Sequence, residues 1–158
     1  MNNRTQKSIK RLSIAILLLG GLTLAYTCCQ MFSMLWGDNY FDPIVWNPEL
    51  RGWQIFLIAG RFVGNTLLYV LCWIFICRIN RGLESGEIFP QSNIALIRWA
   101  ALVSLLLAFV RSNYSAAMRG ESALMIDSNV ILIPLIVLLF AGLYKMAYLA
   151  AKDSNLAI

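Results

Sequence analysis

Four apolar runs, at residues 12–36, 53–77, 94–112 and 130–151, constrain this chain more than any other feature. Each is about 20 residues long, the length an α-helix needs to cross a hydrocarbon core of about 30 Å. A backbone placed in lipid must satisfy its own N–H and C=O groups, so such runs fold as helices. Together they use up most of the 158 residues. The expected fold is all-α: one membrane-embedded domain over 1–158, built as a four-helix bundle. Composition agrees. Only 13% of the residues are charged and 59% are hydrophobic, whereas an average soluble domain is about 25% charged. A soluble fold of this size has too little interior to hide so much apolar surface.

The net charge is +5, and its distribution speaks against nucleic acid. Arg4, Lys7, Lys10 and Arg11 precede the first run. Arg78, Arg81 and Arg98 surround the middle connection, and Lys145 and Lys152 lie at the far end of the fourth run. The other two connections carry Arg51, and Arg111 with Arg119. Basic residues gathered on one side set topology, and here they predict that both termini and the middle loop are cytoplasmic. Direct nucleic acid binding is not expected. The first run is too long for the apolar core of a cleaved signal peptide, about 7–15 residues. Ala25 and Thr27 ahead of Cys28 also fit a lipoprotein cleavage site poorly, so this run is expected to remain as the first helix.

Chemistry-bearing residues are sparse. There is no histidine, and the four cysteines (Cys28, Cys29, Cys72 and Cys77) lack paired metal-ligand spacing. They read as small buried apolar side chains. No arrangement of base and nucleophile stands out. No catalytic residue, metal or cofactor is expected, and the chain does not read as an enzyme.

The second run carries a polar stripe. Gln54, Arg61, Asn65 and Cys72 are spaced so that a rotation of about 100° per residue aligns them on one helix face. Gly60 and Gly64 lie on an adjoining face at the spacing that permits close helix packing. A polar stripe in a span is expected to face the bundle interior or a water-filled cavity. Arg61 has two readings: an intramembrane ligand or ion site, or a side chain that snorkels to the interface or forms a structural pair. No carboxylate occurs within the apolar runs, so its candidate partners are Asp38, Asp42 and Asp127. The aromatics Trp36, Tyr40, Phe41, Trp46 and Trp53 crowd the first connection, as an interfacial belt or as an aromatic ligand site.

The middle loop is the longest break in apolar character near the centre of the chain. Arg81 and Glu84 are three residues apart and can pair if the second helix runs on. Gly86 suits a helix stop. Pro90 suits a first helical turn, with Ser92 or Asn93 as the cap. Phe89 lies among the polar residues Glu87, Gln91 and Ser92 and is expected to pack back on the cytoplasmic ends of the second and third helices. Further on, Asp127, Ser128 and Asn129 are capping types ahead of the fourth run, and Pro134 predicts a mild kink.

On Gly86, Phe89, Asn93, Leu96 and Arg98, and on the ending 149–158, the chain resembles a family of small bacterial four-helix membrane proteins, the domain of unknown function 2975 family. It departs from that pattern at Pro90, where a hydroxyl residue is common, and in having fewer acidic residues near its end. The resemblance implies an inner-membrane location and no catalytic residues. Members are often encoded beside a small helix-turn-helix regulator. This implies a role as a non-catalytic membrane regulator or scaffold, with a cytoplasmic surface (Arg81, Glu84, Gly86, Glu87, Phe89, Asn93 and Arg98) that contacts such a transcription regulator. The alternative is a small transporter or channel using Gln54, Arg61 and Asn65, suited to an anion because a cation exporter needs an intramembrane carboxylate. Candidate partners are the lipid bilayer, a cytoplasmic protein and a second copy of the chain.

Overall fold

A computed structural model of the chain describes residues 3–36, 44–85, 89–122 and 124–156. Among these it is all-α, with four helices: α1 (Asn3–Trp36), α2 (Arg51–Ser85), α3 (Ser92–Met118) and α4 (Ser128–Leu156). All four are long and apolar enough to cross a membrane. All four outrun their apolar runs, α1 and α2 the furthest. α1 starts at Asn3 and α2 continues to Ser85, because their polar ends support each other. Lys10 Nζ donates to Glu84 Oε1 at 2.7 Å, and Gln6 Nε2 donates to the Leu83 carbonyl at 3.2 Å. Glu84 is thus paired with α1 rather than with Arg81, its expected partner one turn away; Arg81 is exposed.

The helices pack in chain order, α1 on α2, α2 on α3 and α3 on α4, and α1 and α4 make no close backbone contact. Short connections favour such antiparallel neighbours. The tightest seam joins α2 to α3. A Cβ built at Gly60 would lie 3.1 Å from Val110 Cγ2, and one at Gly64 would lie 3.0 Å from Leu107 Cδ1. The two glycines therefore do what their spacing suggests, and α3 is the helix they admit. Leu57, Ile58, Val110, Tyr114, Ala117 and Met118 continue this seam into a core cluster with Met34 of α1 and Ile44 of the first connection.

Elsewhere the surface is apolar. Leu22 on α1 and Leu139 and Met146 on α4 are 68%, 63% and 68% exposed. Soluble monomers rarely leave contiguous apolar patches beyond a few hundred Å² uncovered.

Helix ends follow local chemistry unevenly. The Asp127 carboxylate accepts from Ser128 Oγ and Asn129 Nδ2 at 3.1 and 2.7 Å at the start of α4. These bonds, Asn129's first, hold its pKa below the ordinary aspartate value. α4 continues unbroken through Pro134. α3 ends in a Schellman turn: Glu121 N–H donates to Ala116 O and Gly120 N–H to Ala117 O, with Gly120 at φ 77°. The start of α3 differs from expectation. Gln91 takes the N-cap position in a helical conformation without a side-chain cap, so neither Ser92 nor Asn93 caps it. Asn93 is fully buried, and its Nδ2 donates to Tyr144 Oη of α4 at 3.1 Å.

Because a Cβ at Gly64 would already press on Leu107 and a longer side chain would press further, Gly64→Leu is expected to destabilise the fold by about 1–3 kcal/mol, the usual cost of overpacking. Gly142 has open space around its would-be Cβ, so Gly142→Ala is the benign control. Thermal unfolding of the purified variants checks the difference.

Candidate functional site

The polar stripe of α2 splits into two structures. Gln54, one turn from the start of α2, is fully buried. Its Nε2 donates to Val45 O at 2.8 Å and to Ala117 O at 2.7 Å, while its Oε1 accepts from the Asn47 N–H at 3.2 Å. Every polar atom of the side chain is committed to backbone. Gln54 is thus a clamp between the first connection, α2 and the end of α3, and does not share a site with Arg61. Asn47 extends the clamp by donating from Nδ2 to Gly120 O. Asn113, also fully buried, does the equivalent for the last connection: its Nδ2 donates to Met125 O at 2.9 Å and its Oδ1 accepts from Met125 N–H at 2.8 Å. Nothing in the local pattern around Asn113 signals this role.

Arg61 and Asn65 instead line a cavity of about 550 Å³, with Thr23, Tyr26 and Thr27 of α1 and Arg111, Tyr114 and Ser115 of α3. Side chains on a helix tilt toward its N-terminus. Since α2 and α3 run antiparallel, their arginines reach in opposite directions. The Arg61 guanidinium lies over the Tyr114 ring, 4.4 Å from its centroid, a cation–π contact. Arg111 reaches the other way and donates from Nη2 to Asn65 Oδ1 at 3.1 Å. Thr23 and Thr27 donate back to carbonyls of their own helix. Among the described residues no carboxylate lines it. Asp127 is engaged at the start of α4 and is no partner for Arg61, while Asp38 and Asp42 lie outside the described residues. The arrangement is a pair of guanidiniums, each held in place by a neutral neighbour. Arg111 was not among the residues singled out by the stripe, because it lies on a different helix.

The middle-loop residues divide in the same way. Phe89 meets Tyr144 of α4 edge-on at 5.5 Å between centroids, and Phe75 of α2 lies 5.9 Å from the same ring. Its ring partner is therefore on α4, rather than on α2 and α3 alone as expected. Asn93 joins this aromatic group through Tyr144, and Tyr148 donates to Gln91 Oε1 at 3.3 Å. Arg81, Glu84 and Arg98 remain exposed. Arg98 lines a second cavity, of about 480 Å³, with Gln91, Trp99 and Lys145. Gly86 and Glu87 lie outside the described residues.

At the start of α2, Arg51 stands over the Trp46 ring of the first connection at 5.9 Å, and Trp53 stacks on Phe56 with centroids 5.5 Å apart. In the last, Arg119 and Glu121 pair through two bonds of 2.9 and 3.1 Å. That pairing holds the Glu121 carboxyl below its ordinary range.

The clamp and the cavity predict different mutational costs. Gln54→Leu leaves buried backbone groups without partners, at about 1–3 kcal/mol each, and is expected to destabilise the fold by about 2–4 kcal/mol. Arg61→Leu forfeits a cation–π contact worth about 0.5–2 kcal/mol. Denaturation of the two variants, with hydrogen exchange followed at residues 44–50, checks the order.

Compared with protein-family models, with curated proteins and with solved structures, the chain matches none.

Proposed function

We propose that the chain is a multi-pass protein of the cell (inner) membrane, a four-helix bundle embedded in lipid with both termini cytoplasmic, and that it works without catalysis as a regulator or scaffold for a soluble partner. Membrane placement is supported by the four spanning-length apolar helices with their exposed leucines. Orientation is supported by the basic residues at the start of α1, around the middle loop and at the end of α4.

The regulator reading is carried by one observation: the paired helical extension formed by the start of α1 and the end of α2. Between Arg61 and Arg78, α2 has only uncharged residues, about 24 Å of helix. Residues 78–85 then continue past that section, braced by Gln6 and Lys10 of α1. An ordinary turn between two spans has no need of such a projection. It presents Arg81, the Lys10–Glu84 pair and Arg11 on a fixed scaffold, with Arg4 and Lys7 alongside. A partner with mixed charge, such as a helix-turn-helix transcription regulator, fits this surface. Resemblance to the domain of unknown function 2975 family supports the same reading. Of that pattern's residues, Phe89 and Asn93 hold α4 through Tyr144, while Arg98 is exposed.

The transporter alternative has less support. With Gln54 committed to backbone, the polar stripe does not continue to the outer end of α2. Next to Asn65, α3 packs tightly on α2: a Cβ built at Gly64 would lie 3.0 Å from Leu107 Cδ1.

Two outcomes test the proposal. A reporter active only in the periplasm is expected to be silent when fused after Ile158 and active when placed within 44–50; activity at Ile158 refutes the orientation. In a pull-down from solubilised membranes, charge reversal by Arg81→Glu with Glu84→Lys is expected to abolish partner capture at unchanged membrane content. Undiminished capture removes this surface as the docking site.

A further inference from the structure

We propose that the cavity between α1, α2 and α3 binds the phosphate group of an anionic phospholipid in the outer leaflet. The inference rests on the membrane placement proposed above and is independent of the regulator reading.

Charge comes first. Arg61 and Arg111 both line one cavity, and no carboxylate among the described residues lines it. Each guanidinium has five N–H donors in a planar fork suited to phosphate oxygens. Of these, Arg111 commits one to Asn65 Oδ1, and Arg61 sits over the Tyr114 face, a contact that uses the cation and leaves its N–H edge available. Two guanidiniums so close to an apolar phase are costly without a counter-charge. An oxyanion supplies both the charge and the acceptors.

Depth narrows the source of that oxyanion. The uncharged section of α2 from 62 to 77 spans about 24 Å, which approaches the full hydrocarbon thickness of about 30 Å once the arginines at its two ends reach outward. Arg61 therefore marks the outer boundary of the hydrocarbon, the level at which lipid phosphates lie. Arg61 also tilts toward the α2 N-terminus, away from the hydrocarbon.

Access points the same way. α1 and α3 each pack on α2 and make no close backbone contact with each other, so the cavity is the gap between them. Leu19 and Leu22, 65% and 68% exposed, lie about one turn deeper on α1 than Thr23 and Tyr26. They offer an apolar path on which acyl chains can lie while the headgroup phosphate meets Arg61 and Arg111. A soluble phosphate uses the arginines but gains nothing from these leucines.

The test uses the full chain, extracted from membranes in detergent, stripped of lipid and titrated with phosphatidylglycerol, phosphatidylcholine or inorganic phosphate, with bound species read by native mass spectrometry. Phosphatidylglycerol is expected to bind at least about tenfold more tightly than phosphatidylcholine, and Arg61→Gln with Arg111→Gln to weaken it by at least about tenfold, the scale of losing charge-assisted hydrogen bonds. Arg98→Gln with Lys145→Gln, at the other cavity, is expected to leave that affinity unchanged. Circular dichroism of each variant confirms that helix content is retained. Equal binding of the two lipids by the wild-type protein overturns the proposal without recourse to any variant. Unchanged phosphatidylglycerol affinity in the Arg61/Arg111 variant also overturns it. Binding of inorganic phosphate that displaces the lipid at equal concentration overturns the lipid source. Failure of the membrane placement is distinguishable from all of these, because the chain would then be recovered in the soluble fraction before any titration.

Discussion

The hydrogen bonds of Gln54 organise one whole end of this protein. A fully buried primary amide must place two donors and an acceptor, and Gln54 finds its partners on Val45, Asn47 and Ala117. Those residues belong to the first connection and to the end of α3. One side chain on α2 thereby ties Val45 and Asn47 of the first connection to the end of α3. The Schellman turn at Gly120 completes the arrangement, since Asn47 Nδ2 donates to the Gly120 carbonyl that this turn presents. In a largely apolar interior such bonds are strong, and leaving one unmade is correspondingly expensive. An apolar cluster that includes Met34, Ile44, Leu57, Ile58 and Met118 lies at the same end of the protein.

From that end the rest follows as a row. Gly60 and Gly64 let α2 approach α3 closely, and α4 is held to α3 through Asn93, Tyr144 and Tyr148. α1 is held to α2 at its polar start and reaches α3 near its other end, where Tyr114 Oη donates to Met34 Sδ at 3.2 Å. Between those points α1 and α3 are separated, and the cationic cavity occupies the separation. A closer approach of α1 to α3 would shut Arg61 of α2 and Arg111 of α3 away from water, with a Coulomb cost that grows as the local dielectric falls. The gap and the two arginines are thus one feature: the charges need room, acceptors or water, and the open side of the row provides it.

The candidate site was partly legible in the sequence. Helical periodicity placed Arg61 and Asn65 on one face, and they do share a cavity. The same periodicity placed Gln54 with them, and this failed for a physical reason. Angular position around a helix says nothing about what lies at each level along it. Gln54 sits where the first connection and the end of α3 supply backbone partners, whereas Arg61, two turns further on, has no such bond among the described residues. Arg111 escaped notice because its partnership with Asn65 crosses between helices. Glu84 shows the same limit: Arg81 is its neighbour by spacing, yet Lys10, from the start of the chain, offers a 2.7 Å contact. Phe89 was expected to pack back on the ends of α2 and α3; it is half-buried, and the ring it meets, Tyr144, is remote in sequence.

What the sequence determined by itself is what local chemistry controls. The apolar runs dictate four helices, since no other backbone conformation satisfies its own hydrogen bonds over such lengths, and the capping types Asp127, Ser128 and Asn129 mark where α4 starts, at Ser128. Tertiary structure decided the rest: that Gln54 is a clamp and Arg61 a cavity wall, that Asn93 binds Tyr144 rather than capping α3, and that Arg111 completes the cationic pair. Each of these depends on which groups from distant parts of the chain arrive within about 3 Å of a polar atom. That is a property of how the helices pack, to which spacing along a single helix is blind.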